Sequence, residues 1–129
     1  MAETMLPEHA GSPETAAFWA AANEGRLTLK WCTACGRTHW YPRAICPHCG
    51  SDQTEWRDAS GRGTIYTFSI ARRPAPAYAI AYVTLEEGPT MMTNIVDCDF
   101  ADIAIGQKVE VTFRPGAGGQ AVPMFRPAG

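Results

Sequence analysis

The chain has 129 residues, of which 46% are apolar, and a formal net charge of −2. This length suffices for one modest hydrophobic core, or for two small cores when something other than apolar burial helps to hold them. Twelve glycines and ten prolines exclude a helical bundle, and the apolar content is too high for a disordered chain. Short strands joined by turns are therefore the expected structure.

The composition also limits what the chain binds and where it resides. The longest run of small apolar residues, 16–22, is much shorter than the roughly 20 residues that cross a bilayer, so we expect no membrane partner. Residues 1–9 contain two glutamates and no basic side chain, unlike a secretory or transit peptide, which favours a cytoplasmic protein with reduced thiols. A net charge of −2 also does not favour nucleic-acid binding, which needs clustered Lys and Arg.

The first predicted element is a helix that begins at Ser12-Pro13-Glu14 and ends near Asn23. A hydroxyl, a proline in the first helical position and an acidic side chain are typical of a helix start. Gly25 supplies the left-handed residue that often terminates a helix. Phe18 and Trp19 give the helix an apolar side, which leaves two interpretations open: packing on the rest of the chain, or docking on a partner chain.

Four of the five cysteines form two copies of the pattern Cys-x-x-Cys-Gly, at residues 32–36 and 46–50. Two residues between thiolates let one tight turn present both sulfur atoms to a single ion, and two such turns complete a tetrahedron. The alternating segment Leu27 to Trp31 predicts a strand that leads into the first pair, and residues 38–41 can return antiparallel to it. We therefore expect a zinc ribbon with a structural zinc ion held by Cys32, Cys35, Cys46 and Cys49.

The pattern favours other cysteine chemistries less. A thioredoxin-like redox site needs one pair at a helix N-terminus, and disulfides need an oxidising compartment. Iron in a rubredoxin-like site stays open, because tetrahedral sulfur ligation suits either metal. His39 and His48 are candidate ligands only if a cysteine is displaced. Cys98 has no partner pair and no histidine in its half of the chain, so we expect a small buried side chain rather than a nucleophile.

From Gly61 onward the sequence is β-rich, with glycine and proline between the strands. The pattern predicts five strands, at residues 64–70, 78–85, 90–96, 108–113 and 122–125, and a short helical turn at 100–105. Five strands with a helical insert between the third and fourth are typical of an OB-fold barrel, although an SH3-like barrel or a small sandwich stays open. The predicted fold is mainly β: an N-terminal tail and helix (1–25), a rubredoxin-like zinc ribbon (26–58) and a C-terminal five-stranded OB-fold barrel (59–129).

In their order along the chain, these motifs resemble those of a known family. They are the Phe18-Trp19 helix, both Cys-x-x-Cys-Gly turns, and the segments 61–67, 105–109 and 123–125. The sequence is similar to bacterial and archaeal acyl-CoA-associated proteins that join a rubredoxin-like zinc ribbon to an OB-fold. The resemblance implies a non-catalytic subunit that partners a thiolase-like enzyme: a thiolase, an aldolase that shortens steroid side chains, or an acyltransferase that makes acylated phenols. It also implies a heterotetramer or larger assembly, with acyl-CoA as a ligand of the complex.

Two groups of residues are candidate contacts in such a complex. A basic group can meet CoA phosphates, an acidic face of a partner, or only solvent; its members are Arg57, Arg62, Arg72 and Arg73. The candidate partner-binding residues lie on the helix and on a largely apolar loop; they are Phe18, Trp19, Pro74, Pro76 and Tyr78. No catalytic set such as Ser-His-Asp stands out, so we do not expect catalysis by this chain alone. The alternative function is a single-stranded nucleic-acid-binding module, which needs aromatic side chains on a basic sheet face.

Overall fold

The computed structural model describes residues 12–73 and 75–128. These residues form a small three-stranded sheet, a closed five-stranded barrel and one helix that packs beside them. The elements, in chain order, are α1 (Ala16–Asn23), β1 (Thr28–Cys32), β2 (Thr38–His39), β3 (Thr54–Asp58), β4 (Arg62–Ala71), β5 (Tyr78–Leu85), β6 (Thr90–Ile95), a 3₁₀ turn (Phe100–Asp102), β7 (Lys108–Pro115) and β8 (Ala121–Pro127). Within the described part of the chain, no helix is long and apolar enough to cross a membrane.

Helix α1 begins about one turn later than its sequence signal suggests. The residues before it form a turn in which the Thr15 amide donates to the Ser12 carbonyl at 3.0 Å. The carboxylate of Glu14 accepts a hydrogen bond from the amide of Ala44 at 2.7 Å, so this side chain links the residues before the helix to the ribbon. The predicted C-terminus is confirmed: the helix ends at Asn23, and Gly25 adopts φ +78°, which suits a residue without Cβ.

The three-stranded sheet has the order β2-β1-β3, and both pairs are antiparallel. β2 returns along β1 as predicted, although it is only two residues long. β3 was not predicted. Its sequence contains a single apolar side chain, Trp56, and none of its five residues is fully buried. Five register pairs with β1, from Thr28↔Asp58 to Cys32↔Thr54, hold it as a strand.

The barrel has the closed order β4-β5-β6-β8-β7. The 3₁₀ turn lies between β6 and β7, so the helical insert falls between the third and fourth barrel strands, and the predicted OB-fold is confirmed. At the start of β4, neighbouring strands approach closely. A Cβ on Gly63 would lie 2.5 Å from Val83 Cγ1 and 2.8 Å from the carbonyl oxygen of Thr84, so only glycine fits there.

One continuous hydrophobic core serves all three parts of the chain. Phe18 of α1 and Leu27 and Leu29 of the ribbon belong to the same buried cluster as Val83 and Phe125 of the barrel. Hydrogen bonds cross the same junctions: the Ala59 amide donates to the Leu27 carbonyl at 2.7 Å, and the Gln120 side-chain amide donates to the Trp19 carbonyl at 2.9 Å. The helix and the ribbon are therefore packed against the barrel rather than tethered to it.

Candidate metal centre

The two Cys-x-x-Cys-Gly segments fold into two turns of the same local geometry. In the first, the Gly36 amide donates to the Cys32 carbonyl at 2.8 Å; in the second, the Gly50 amide donates to the Cys46 carbonyl at 2.9 Å. Both glycines have positive φ, +75° and +79°, a conformation that costs other residues strain. Each turn therefore places its two cysteine side chains on one side, where a shared ion can bind them.

Backbone hydrogen bonds hold the two turns face to face. Thr33 in the first turn donates its amide to the carbonyl of Gln53, which follows the second turn, at 2.9 Å. The Thr33 hydroxyl donates to the same carbonyl at 3.0 Å. β1 delivers Cys32, and β3 pairs with β1 directly after the second turn. The sheet therefore fixes the distance between two sulfur pairs that lie ten residues apart in sequence.

The four sulfur atoms have the spacing of a zinc tetrahedron. The Sγ atoms of Cys32, Cys35, Cys46 and Cys49 all lie within 4.8 Å of one another. Two of the edges are 3.6 Å, between Cys32 and Cys49, and 3.8 Å, between Cys35 and Cys46. Four thiolates at about 2.3 Å from one zinc ion are about 3.8 Å from each other. The donor set therefore fits a structural zinc ion, and it leaves no coordination position for water or substrate.

The electrostatics of the cluster also call for a cation. The Cys35 amide lowers the pKa of Cys32 to about 7. The Ser51 amide also favours the Cys49 thiolate, but desolvation and the three neighbouring sulfurs outweigh it and raise the pKa of Cys49 to about 12. Desolvation also raises the pKa of Cys35. A thiolate thus forms easily at Cys32 and less easily at Cys35 and Cys49, unless a divalent ion offsets the repulsion between the sulfur atoms.

Two family models match consecutive parts of the chain. The rubredoxin-like zinc ribbon domain of ChsH2 matches residues 19–55, and the C-terminal OB-fold domain of ChsH2 matches residues 56–114. The chain also matches most of the length of a relative: a DUF35 domain-containing scaffold protein from Methanothermobacter thermautotrophicus is 40% identical over 96 residues, which are 68% of this chain and 71% of the relative. The chain belongs to the ChsH2 family.

Two further similarities involve proteins with enzyme names. A probable enoyl-CoA hydratase alpha subunit from Thermomonospora curvata is 33% identical over 131 residues, covering 98% of this ChsH2-family chain but 41% of the relative. The chain thus spans less than half of that relative's length. A chain of the solved Ltp2-ChsH2(DUF35) aldolase superposes with a TM-score of 0.85 at 31% identity, covering 95% of this chain and all of that one.

The four arginines expected to act together do not form one cluster in this ChsH2-family chain. Arg57 pairs with Glu55 at 2.7 Å and stacks 4.4 Å from the Trp31 ring. Arg62 pairs with Glu86 at 2.9 Å, and this contact lowers the pKa of Glu86. Arg62 is the first residue of β4, whereas Arg72 and Arg73 come directly after its last residue. The ten residues of β4 span about 30 Å. The four arginines therefore lie at two separate places, and their contact with CoA phosphates or with a partner stays a prediction.

The candidate partner-binding residues differ in how accessible they are. Phe18 is 1% exposed and lies in the chain's own core, with its ring 5.1 Å from that of Trp40. Its burial agrees with internal packing and leaves no surface for a partner, so Phe18 is corrected to a core residue. Trp19 is half-buried beside it. Pro76 and Tyr78 are exposed, and Pro74 lies outside the described residues.

The structure also shows a concave surface that sequence reasoning missed. A cavity of about 730 Å³ lies between the ribbon and the β5–β6 turn, and its lining includes Trp31, His39, Trp40 and Glu87. None of the four candidate arginines lines it. His39 is 3% exposed, and burial lowers the pKa of its imidazole. No sequence signal could have found this cavity, because it forms between segments about 50 residues apart.

Cys98 is separate from the metal cluster. Its side chain is half-buried and packs against the core. Burial raises the pKa of the Cys98 thiol, and the carboxylates of Asp102, Asp99 and Asp97 raise it further. A raised pKa keeps the thiol protonated and weakly nucleophilic at neutral pH, which is the behaviour expected of a packing residue.

Proposed function

We propose that this chain is a non-catalytic zinc-binding subunit that assembles with a thiolase-like enzyme acting on acyl-CoA thioesters. The observation that carries the proposal is the superposition on the whole length of a chain from an Ltp2-ChsH2(DUF35) aldolase. The proposed enzyme is a thiolase or a retro-aldol lyase, with steroid side-chain degradation as one setting. The name of the hydratase subunit that resembles this chain also refers to a CoA thioester, which supports the substrate class.

The zinc ion has a structural role in this proposal. Cys32, Cys35, Cys46 and Cys49 hold it, and four protein ligands leave no open position for a Lewis-acid step. Zinc bound here would cross-link the end of β1 to the loop before β3. Iron at the same sulfur tetrahedron would colour the purified protein, so a colourless sample with one zinc per chain is expected.

The loop between β4 and β5 is the proposed contact with the acyl-CoA site. Among residues 12–73 and 75–128, no ion pair includes Arg72 or Arg73, so their charges are available for phosphate oxygens. Pro76 and Tyr78 continue this exposed segment. In the proposed complex, the thiolase-like subunit carries the reacting groups. The proposed division of this chain is an N-terminal tail and helix (1–25), a zinc ribbon (26–58) and a barrel (59–129).

The nucleic-acid alternative is not favoured. The second and third strands of an OB-fold form the usual oligonucleotide-binding face, and here these strands are β5 and β6. Neither strand contains a lysine or arginine. Without cations along the groove, aromatic stacking alone does not provide the electrostatic part of single-strand binding.

Co-expression with an Ltp2-type aldolase subunit from the same organism tests the proposed function. We expect stoichiometric co-elution as a heterotetramer or larger complex, with cleavage of an acyl-CoA thioester only when the enzyme subunit is present. Multi-angle light scattering gives the mass of the complex, and release of the cleaved product gives the activity. A monodisperse monomer with full lyase activity of its own would contradict the proposal, as would failure of every thiolase-superfamily chain of that organism to bind.

A further inference from the structure

The outer surface of the barrel is divided into an uncharged half and a charged half. Strands β4, β5 and β6 carry no acidic or basic side chain in residues 63–71, 78–85 and 90–95. The neighbouring β7 and β8 carry four, at Lys108, Glu110, Arg114 and Arg126. All five strands belong to one closed barrel. Helix α1 packs against β8, where Pro123, Met124 and Phe125 are all buried, so part of the outward face of the charged half is already covered by this chain.

The uncharged half exposes large apolar side chains. Tyr66, Tyr82 and Met92 are 68%, 46% and 61% exposed. Tyr82 and Met92 are direct partners across β5 and β6, and Tyr66 lies at the β4 irregularity beside the Thr67↔Tyr82 pair. Directly paired residues on adjacent strands have Cβ atoms about 5 Å apart. The three side chains therefore form one patch, the tyrosine–methionine face (Tyr66, Tyr82 and Met92).

Among the residues that the structure describes, the large exposed apolar side chains of the barrel strands, Tyr66, Tyr78, Tyr82 and Met92, all lie on β4, β5 and β6. In β7 and β8, every Val, Phe and Met side chain is buried or half-buried. Ile105, 68% exposed, extends the tyrosine–methionine face, because the following Gly106 amide donates to the Ile65 carbonyl, next to Tyr66, at 2.8 Å. Contiguous apolar surface on one side of a small protein is typical of a binding surface, whereas single exposed apolar residues are not.

We propose that the tyrosine–methionine face is the surface on which the thiolase-like subunit docks, an inference that rests on the function proposed above. Interface cores are depleted of Lys, Glu and Asp and enriched in Tyr and Met, and tyrosine is frequent among the residues that dominate binding energy. The absence of charge specifies the partner surface. A charged surface would lose hydration here without gaining an ion pair, so the docking surface of the enzyme subunit is neutral and apolar.

The same face continues toward the loop proposed to contact acyl-CoA. Tyr78 has the same outward parity on β5 as Tyr82, and it is 43% exposed. The loop with Arg72 and Arg73 joins β5 directly before Tyr78. Docking through the tyrosine–methionine face thus brings these two cations to the edge of the interface, beside the enzyme subunit.

Acidic substitutions on the two halves of the barrel test this assignment. Met92→Glu and Tyr66→Glu place a charge on the tyrosine–methionine face, and Ala117→Glu places the same charge at an exposed position of the turn between β7 and β8. Calorimetry measures the Kd for the thiolase-like subunit identified by co-elution. We expect binding about 100-fold weaker for either face variant, because the interface would have to desolvate an unpaired carboxylate. Ala117→Glu should bind within about threefold of the wild type.

Two further measurements keep the test decisive. Far-UV circular dichroism and zinc content establish that each variant is folded, and Tyr66→Ala replaces any acidic variant that is not. Peroxide oxidation of the wild-type chain, followed by mass spectrometry, should modify the exposed Met92 in the free chain and spare it in the complex. Met91, only 3% exposed, should be protected in both states.

The outcomes separate this inference from the proposed function. If the wild type binds the enzyme subunit and both face variants bind equally well, the face assignment is overturned and the proposed function stands. If the wild type binds no thiolase-like subunit, both are overturned. Self-association of the wild type that Met92→Glu abolishes would assign the face to a second copy of this chain. Binding of a single-stranded oligothymidine that Tyr66→Ala abolishes would assign it to nucleic acid, and either result overturns the proposal.

Discussion

Replacing Cys32 with serine tests whether the ribbon depends on a metal ion. The Cys32 side chain is fully buried, and its sulfur lies 3.6 Å from that of Cys49. Cys32→Ser preserves the size of the side chain and the backbone hydrogen bond from the Cys32 amide to the Arg37 carbonyl. It removes one donor, because a serine hydroxyl stays protonated at pH 7 and is a poor zinc ligand.

The expected loss follows from the geometry of the site. Structural zinc in zinc-finger peptides binds with about 10 to 16 kcal/mol at neutral pH, so one ligand in four accounts for about 3 kcal/mol. For a chain of this length, a loss of that size lowers the Tm by about 10 °C. The ribbon should be affected first, because β2 has only two residues and β3 contacts the rest of the fold mainly through β1.

Elemental analysis after gel filtration and a thermal melt followed by circular dichroism measure both effects. The wild type should hold one zinc per chain, and Cys32→Ser should hold much less. Cys98→Ser is the matched control, since Cys98 is half-buried and lies outside the sulfur cluster. It should keep its zinc and melt within about 2 °C of the wild type. A Cys32→Ser protein with stoichiometric zinc and an unchanged Tm would refute the four-cysteine site.

Three further predictions concern packing within the fold. Gly63→Ala should lower the free energy of unfolding by at least about 2 kcal/mol, since its Cβ would lie 2.8 Å from the Thr84 carbonyl oxygen. Gly119→Ala is the control: it has open space around it and should lower the free energy of unfolding by about 1 kcal/mol. Equal losses for the two variants in urea denaturation would disprove the close-approach argument. Phe18→Ala should cost about 3 to 5 kcal/mol by emptying a core position; a Tm near that of the wild type would show that Phe18 is not a core residue. Iodoacetamide at pH 7.5 should alkylate Cys98 in the folded chain more slowly than in urea, because its pKa is raised, and equal rates by mass spectrometry would contradict the environment described for it.

The elements that could be predicted from the sequence are those set by local pattern. β5 is the clearest case, because the alternation of its residues matches the alternation of buried and exposed side chains in the barrel. β3 contains a single apolar side chain, Trp56, so it shows no alternation of apolar and polar residues, and its strand conformation depends on pairing with β1, more than 20 residues earlier. Helix α1 starts after a turn from Ser12 to Thr15, and Glu14 bonds to the amide of Ala44, a long-range contact that helix-start statistics do not contain.

The candidate contact residues show a second limit of sequence reasoning. Arg57, Arg62, Arg72 and Arg73 are close in sequence, yet a ten-residue strand separates the first two from the last two. Phe18 and Trp19 looked equivalent on a short apolar helix, yet only Phe18 is completely buried. Which side of an eight-residue helix faces the core depends on where the barrel lies, and that position is a tertiary property.

Local sequence pattern was enough to predict the four-cysteine cluster and the five barrel strands, because turn chemistry and strand periodicity act over a few residues. The tertiary structure decided which sulfur atoms are neighbours across the ribbon, which arginines are already paired and which aromatic side chains remain in solvent. It also divided the barrel surface into a charged and an uncharged half, which no single strand reveals. These properties arise from contacts between residues far apart in the chain, and the energy of such contacts depends on packing that local pattern does not encode.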